Sequence, residues 1–145
     1  MNSNNAQKII TKARALLGTP YKYGVKEEDI PVFLDCSSFT QILFRQVLKK
    51  DIGRSTILQA THGKTVLKKD LRPGDLVFFR GSKGHFNDSL FPPKKYGHNI
   101  CIGHVALYTG NGLAIHACGI KGKVIEEPLK AIKNTRIKIP IIKRI

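Results

Sequence analysis

The sequence predicts an α+β protein in which helices come first and β-strands follow. In the N-terminal third of the chain, apolar residues recur every three or four positions, as they do along a helix that buries one face. In the C-terminal half they form short runs rich in β-branched residues, and the hairpin signal Gly110-Asn111-Gly112 joins two of these runs. With 145 residues, 41% of them hydrophobic, residues 1–145 have the size and composition of one globular domain.

The N-terminal part is expected to contain three helices. The first covers residues 5–17 and stops at Gly18. The second covers about residues 36–50, with Asp35 as its N-cap. A short third helix is expected over residues 55–62.

The β region is expected to begin where a Pro-Gly turn enters a buried apolar run. Alternating or continuous apolar residues bounded by turn residues indicate the strands. Pro140 lacks a backbone donor and favours an edge or a bulge for the last of them. The expected strand regions are residues 71–79, 104–109, 113–117, 123–127 and 136–143.

Residues 80–103 interrupt this strand pattern. Glycines and prolines surround several aromatic and apolar residues in a connection longer than compact domains usually carry without a functional reason. We interpret it as an inserted, basic, partly apolar loop.

The net charge of +15 favours polyanionic partners. Nucleic acid is one candidate, and the bacterial cell wall, with its carboxylates and its anionic phosphate-bearing polymers, is another. The basic residues have little of the aromatic interleaving that stacks bases, so we expect nonspecific attraction and no specific nucleic-acid partner.

Targeting signals are not visible in the sequence. No apolar run approaches the ~18 residues that span a bilayer, so no membrane span is expected. The residues from Met1 to Gly18 contain no signal-peptide core. The localisation therefore stays open, and action on a cell wall would require another route of secretion, injection or release by lysis.

Cys36 is the candidate nucleophile. It lies at the expected first turn of the second helix, directly after the N-cap Asp35. A helix N-terminus lowers a thiol pKa from about 8.5 towards about 3.5–7.5, so a thiolate is expected. Three cysteines, an odd number in a short chain, do not describe a disulfide framework. A buried structural cysteine is the alternative interpretation.

Two histidines flank the hairpin turn and could serve this thiol. A three-residue loop over residues 109–111 places His104 directly opposite His116, with Cβ atoms ~4.5 to 5.5 Å apart, whereas a two-residue turn separates them onto opposite faces. In the first case one imidazole takes the thiol proton and the other orients it. The alternative is a pair of ordinary strand histidines.

A zinc site is a competing interpretation. Cys118 shares a strand face with His116, and a tetrahedral site could add Cys36, Cys101 and His104. The chain has no Cys-x-x-Cys knuckle, so we predict neither a metal nor another cofactor.

Six motifs in chain order resemble the NlpC family of papain-like cell-wall cysteine peptidases. Each falls where the pattern already predicts a loop, helix start, turn or strand. The motifs are Gly18-Thr-Pro-Tyr-Lys-Tyr-Gly24, Asp35-Cys-Ser37, Arg54-Ser-Thr56 with Gln59 and Gly63, Leu71-Arg-Pro-Gly-Asp-Leu-Val-Phe-Phe79, Gly103-His-Val-Ala-Leu-Tyr-Thr-Gly-Asn-Gly112 and Ile115-His-Ala117.

The resemblance implies a papain-like fold, in which N-terminal helices, one carrying the nucleophile, pack on a small antiparallel β-sheet. It implies Cys36 as nucleophile, His104 as general base and His116 as the orienting residue. The implied reaction is hydrolysis through a thioester, typically of a bond between D-glutamate and a diamino acid in a peptidoglycan stem peptide.

The resemblance also assigns residues around the nucleophile. Tyr21 matches the family's active-site tyrosine, whose hydroxyl lies near the thiol. Asp35 and Ser37 match residues that line the subsite for the amino side of the scissile bond.

The chain departs from the family pattern at three places, which are Val25, Ser38 and the long segment at about 80–103. These departures bear on the substrate more than on the mechanism. Two other functions remain open at this point: an acyltransferase or thioesterase on the same scaffold, and a non-enzymatic module that binds polyanions.

Overall fold

The computed structural model describes residues 1–132 and 139–145 of the chain. Its helices are α1 (Ser3–Ala15), α2 (Cys36–Leu48), and the short α3 (Thr56–Gln59) and α4 (Pro93–Tyr96). Its strands are β1 (Lys64–Thr65), β2 (Leu76–Phe79), β3 (His85–Phe86), β4 (Cys101–Ile102), β5 (His104–Gly110), β6 (Leu113–Cys118), β7 (Lys123–Pro128) and β8 (Ile141–Arg144). The predicted α+β class is confirmed.

The strands form one antiparallel sheet of six and a separate pair. The order in the larger sheet is β1-β8-β2-β5-β6-β7, and β3 pairs with β4. All neighbouring strands of the larger sheet run antiparallel. The hairpin β5–β6 therefore lies near the centre of the sheet, followed by β7 at its edge.

Alternation along the strands gives the sheet two buried faces. One face carries Phe78, Val105 and Ile115 and packs against the apolar sides of α1 and α2. The other face carries Val77 and Ala106, among others. It packs against apolar residues of the segments that connect β1 to β2 and β7 to β8. Full burial of an aliphatic or aromatic side chain contributes roughly 1.5–3 kcal/mol, so both faces stabilise the sheet that carries the hairpin.

Helix α2 begins where its sequence predicts. The carboxylate of Asp35 accepts a hydrogen bond from the backbone N–H of Ser38 at 2.8 Å, and the Ser38 hydroxyl accepts one from the backbone N–H of Asp35 at 2.9 Å. This reciprocal capping box fixes the first turn. Cys36 is consequently the first helical residue, on a rigid element.

The last strand differs from its prediction. β8 lies between β1 and β2 instead of at an edge. Pro140 precedes the first residue of the strand, so its missing N–H costs no ladder hydrogen bond. Residues 136–138 of the predicted strand lie outside the described residues.

The inserted segment has regular structure of its own, namely β3, α4 and β4, where the sequence suggested only a loop. Phe91, Ile100 and Ile102 anchor it in the main core. No helix in the described ranges is long and apolar enough to span a bilayer.

Candidate active site

The predicted site residues line one cavity. Its volume is about 890 Å³. Its walls include every residue that the sequence assigned to the site, namely Tyr21, Asp35, Cys36, Ser37, His104 and His116. The start of α2 forms one wall and the strands β5–β7 form the other. We call these the helix wall and the sheet wall.

The helix wall is held by an ion pair. Both Nη atoms of Arg54 donate to the carboxylate of Asp35, at 2.7 and 3.1 Å, and one of them also donates to the Ser37 hydroxyl at 2.8 Å. Burial alone would raise the pKa of Asp35, but the hydrogen bonds from Arg54 and Ser38 outweigh it and hold that pKa below its ordinary value. Asp35 and Ser37 thus line the cavity while bonded within the protein.

The surroundings of Cys36 favour its thiol over the thiolate. Burial raises its pKa to about 12, and the neighbouring negative charge of Asp35 acts in the same direction. Backbone N–H groups of Ser37 and Val105 lower the pKa but do not compensate. The expectation of a resting thiolate is therefore wrong, because desolvation at this position exceeds the effect of the helix N-terminus. Cys36 needs a base before it can react.

His104 and His116 contact each other on the sheet wall. The Nε2 atom of His104 lies 2.8 Å from Nδ1 of His116, and the rings meet edge to face with centroids 5.0 Å apart. Leu107 pairs with Ile115, so His116 lies opposite the position two residues beyond His104. The rings therefore meet diagonally across the hairpin.

The hairpin turn between β5 and β6 has two residues. Asn111 and Gly112 form a two-residue turn with φ angles of 53° and 75°. Positive φ at both central positions is the geometry that Asn-Gly favours in tight hairpins. Of the two turn lengths that the sequence left open, the structure therefore has the shorter one.

A β-bulge keeps the histidines on one face despite the short turn. The strand pairing shifts by one residue between Tyr108 and Gly110. A one-residue shift reverses which side chains face the same side of a sheet. It thereby returns His104 to the face of His116. The expectation that a two-residue turn puts the two rings on opposite faces is wrong, because it did not include this bulge.

Glu127 is a site residue that the sequence reasoning missed. Its Oε1 lies 2.8 Å from Nε2 of His116. Cys118 pairs with Lys123 across a four-residue turn, which places Glu127 two positions beyond the residue opposite His116. The glycines at 119 and 122 are the signal that could have predicted this turn and register.

Burial keeps both imidazoles neutral. It lowers the pKa of His104 to about 3, and the neighbouring His116 acts in the same direction. Burial also lowers the pKa of His116, although the carboxylate of Glu127 opposes this. The resting site accordingly contains a thiol and two neutral rings.

Tyr21 is held by backbone contacts on two sides. Its N–H donates to the carbonyl of Gly122 at 2.8 Å, and it bridges to Leu34 just before the nucleophile. Its ring lies so close to Gly119 that a Cβ there would be 3.3 Å from the ring. Burial, followed by the nearby Cys36, raises the pKa of Tyr21 to about 12, so its hydroxyl keeps its proton and can donate.

The inserted segment forms part of the cavity rim. The Nζ atom of Lys83 lies 4.2 Å from the centroid of the Tyr23 ring. Lys121 lines another part of the rim. The two carboxylates in the lining, Asp35 and Glu127, already have partners in Arg54 and His116. The rim therefore carries positive charge without a free carboxylate.

The three cysteines do not converge on a metal. All three thiols are free, and Cys101 lies in the inserted segment with its Sγ against Gly84. Across residues 1–132 and 139–145, no group of three or more histidine, cysteine or acidic side chains is arranged to hold a metal ion. The zinc interpretation thus finds no ligand cluster in these parts of the chain.

Comparisons with known proteins agree on one family. The sequence model of the NlpC/P60 family matches residues 18–138. Protein P54 of Enterococcus faecium is 32% identical over 114 residues, which cover 74% of this chain and 22% of that protein. The murein DD-endopeptidase MepS/murein LD-carboxypeptidase of Escherichia coli K12 is 37% identical over 93 residues, 63% of this chain and 40% of that protein. The chain thus spans well under half the length of both relatives.

A solved domain shares nearly the whole architecture. The NlpC/P60 domain of the peptidoglycan hydrolase SagA superposes with a TM-score of 0.69 at 27% sequence identity. The match covers 97% of this chain and 98% of that domain. The same arrangement of helices and sheet is therefore found in a structure of known family.

Proposed function

This chain belongs to the NlpC/P60 family, and from that premise we propose that it is a cysteine peptidase that hydrolyses peptide bonds in peptidoglycan stem peptides. The observation that carries the proposal is the line of contacts on the sheet wall, in which His104, His116 and Glu127 are joined by two bonds of 2.8 Å beside the helix start that carries Cys36. A thiol with a neutral imidazole base and an oriented second ring has the parts of a nucleophile triad.

The first half of the reaction forms a thioester. His104 takes the proton from Cys36 as the sulfur attacks the scissile carbonyl, so no separate thiolate needs to exist in the low-dielectric site. The backbone N–H of Cys36, the first residue of α2, and the protonated hydroxyl of Tyr21 are the donors for the oxyanion. The protonated His104 then gives its proton to the leaving amine as the C–N bond breaks.

The second half releases the acid product. A water molecule gives a proton to His104 and attacks the thioester carbonyl. The C–S bond breaks, the sulfur takes the proton back from His104, and Cys36 returns to the thiol. Atoms and charge balance over the cycle, with one water consumed for each peptide bond.

The substrate is proposed to be an anionic stem peptide cut between D-glutamate and a diamino acid. Lys83 and Lys121 on the rim favour a peptide that retains free carboxylates, and the net charge of +15 favours anionic wall polymers nearby. Asp35 and Ser37 border the proposed subsite for the amino side of the bond. Because Arg54 already binds Asp35, a substrate amine there shares the carboxylate with the guanidinium.

Mass spectrometry of a muropeptide digest tests the proposal. The wild-type chain is expected to release new amines, and the product masses identify the bond. Cys36→Ala should abolish the release while keeping its circular dichroism spectrum. Cys101→Ala is the matched control, since this thiol lies outside the cavity lining and its loss should leave cleavage intact.

The outcomes separate the two levels of the proposal. Full cleavage by Cys36→Ala, or no cleavage of any muropeptide by the wild-type chain, overturns the peptidase function. Cleavage at another peptide bond overturns only the D-glutamyl assignment. The DD-endopeptidase and LD-carboxypeptidase activities in the name of the Escherichia coli relative are examples of such cleavage.

A further inference from the structure

We propose that Glu127 is a positioning residue that fixes the tautomers of both histidines, so that Nδ1 of His104 is the nitrogen that takes the Cys36 proton. The consequence for turnover rests on the peptidase function proposed above. The tautomers themselves are properties of the folded protein and can be measured without a substrate.

The chemistry of a carboxylate sets the direction of the chain of hydrogen bonds. The Oε1 atom of Glu127 accepts, so Nε2 of His116, 2.8 Å away, carries a hydrogen and donates it. A neutral imidazole has only one N–H, so Nδ1 of His116 carries a lone pair. That lone pair accepts from Nε2 of His104, also 2.8 Å away. Nε2 of His104 must therefore hold the hydrogen of that ring.

The remaining nitrogen is left for the thiol. With its hydrogen on Nε2, a neutral His104 has a lone pair on Nδ1. The hydrogen bond that the structure gives the His104 ring is made by its Nε2 atom. The sulfur of Cys36 lies against the backbone N–H of Val105, the residue next to His104. That lone pair thus belongs to a ring that lines the same cavity as the nucleophile.

The strands β6 and β7 do not need the Glu127 side chain to hold them together. β6 and β7 pair without interruption from Leu113 with Pro128 to Cys118 with Lys123. Glu127 lies on the same sheet face as His116, at a position partly screened from solvent, with its side chain 21% exposed. A carboxylate placed there, at the end of two neutral rings, also stabilises the positive charge that His104 acquires during turnover.

The neighbouring Glu126 is a matched control. It lies on the opposite face of β7, where it pairs with Arg14 at 3.1 Å and accepts from Thr109 at 2.8 Å. Replacing either glutamate by glutamine removes one carboxylate from the same strand. Only the change at Glu127 alters what His116 can donate to.

The first test is the tautomer in the wild-type chain. Long-range ¹H–¹⁵N correlation spectra of histidine-labelled protein distinguish Nε2–H from Nδ1–H rings, and His104→Gln and His116→Gln assign the two signals. We expect the Nε2–H form for both. A hydrogen on Nδ1 of His104 in the wild-type chain overturns the proposal, whether or not any variant folds.

The second test compares Glu127→Gln with Glu126→Gln. A glutamine at 127 can donate to Nε2 of His116, which reverses both hydrogen bonds and puts the hydrogen on Nδ1 of His104. We expect mixed tautomers, a kcat lower by about 10- to 100-fold and a KM that is nearly unchanged. Loss of a carboxylate bonded directly to the base histidine of a triad lowers kcat by about 10⁴-fold, and the effect here should be smaller because His116 lies between Glu127 and His104. Glu126→Gln should keep both tautomers and its kcat.

Two results of this comparison contradict the proposal. One is a Glu127→Gln variant with wild-type tautomers and wild-type kcat. The other is an equal loss of kcat in Glu126→Gln, which would mean that any carboxylate lost from β7 disturbs the site. Neither result would contradict the peptidase function itself, because that function is tested separately with Cys36→Ala.

Discussion

The helix wall and the sheet wall each contain a carboxylate with little exposure to solvent, but they use it differently. On the helix wall, Asp35 faces the guanidinium of Arg54, so the charges cancel before any substrate arrives. On the sheet wall, Glu127 faces a neutral imidazole, His116, so its charge is not cancelled in the resting protein. The Asp35–Arg54 pair therefore needs no further charge, whereas the Glu127–His116 pair can still take up a proton on an imidazole.

This difference separates the part of the cleft that stays fixed from the part where protons move. A paired carboxylate at a helix cap holds geometry and resists titration. A carboxylate joined to two neutral rings can stabilise a positive charge that appears on the far ring. We therefore expect changes to the two histidines of the sheet wall to affect turnover, and changes to the Asp35–Arg54 pair of the helix wall to affect mainly stability.

The largest effect is expected from His104→Gln on the sheet wall. Loss of the base should lower kcat on the order of 10⁴-fold or more. The resting thiol should change little, because His104 is neutral and Cys36 already has a pKa of about 12. The rate of Cys36 alkylation by iodoacetamide as a function of pH measures this directly.

The alkylation profile also provides the contrary outcome. If the wild-type thiol reacts rapidly at neutral pH and His104→Gln slows it, the resting site contains a thiolate–imidazolium pair. The contrast between a helix wall whose charges already cancel and a sheet wall with two neutral imidazoles would then be wrong.

Arg54→Gln on the helix wall is expected to reduce stability more than chemistry. It leaves the buried Asp35 without its guanidinium, which costs about 1–3 kcal/mol in the free energy of unfolding. Adding Asp35→Asn should recover part of the loss, since the uncompensated charge disappears. Urea unfolding measures both variants.

Arg45→Gln is the control for this prediction. Arg45 pairs with Glu27 and Asp51, whose side chains are exposed, so its loss should change stability by less than about 0.5 kcal/mol. An Arg54→Gln variant as stable as this control would show that the helix wall does not depend on the ion pair.

Acid should weaken the two walls in separate pH ranges. The folded-state pKa of His104 is lowered to about 3 from an ordinary value near 6.5, and that of His116 is lowered too. The unfolded chain then binds more protons in acid, so stability falls as the pH drops below about 6.5, by up to about 1.4 kcal/mol per pH unit for each histidine. Asp35, whose pKa is also lowered, adds its loss only below about pH 4.

Urea midpoints measured from pH 7 to pH 3 resolve these ranges. In His104→Gln the decline between about pH 6.5 and pH 4 should be shallower, while the decline below pH 4 remains. An identical decline in the wild-type and variant proteins would mean that His104 does not titrate on unfolding as described.

The two walls also differ in how far the sequence could predict them. The start of α2 was predictable because Asp35 and the apolar spacing after it are local signals. The diagonal contact of His104 with His116 was not, because it depends on a two-residue turn and a bulge whose effects on the face cancel. Glu127 was missed for the same reason, since its partner is set by the register of another strand pair. The raised pKa of Cys36 could not be predicted either, because it depends on how far folding removes the thiol from water.

The smallest effect is expected at the rim, from Lys83→Gln in the inserted segment. Lys83 belongs to neither wall, and its ammonium is exposed apart from its contact with Tyr23, so its attraction for a substrate carboxylate is weak. KM for stem peptides with free carboxylates should rise about 2- to 5-fold at low salt, with kcat unchanged. The same peptides with carboxamides should show no change, and Lys94→Gln on α4, outside the cavity lining, should alter neither. Equal KM for carboxylate and carboxamide peptides in the wild-type chain would mean that the rim charge does not select the substrate, leaving selection to the two walls.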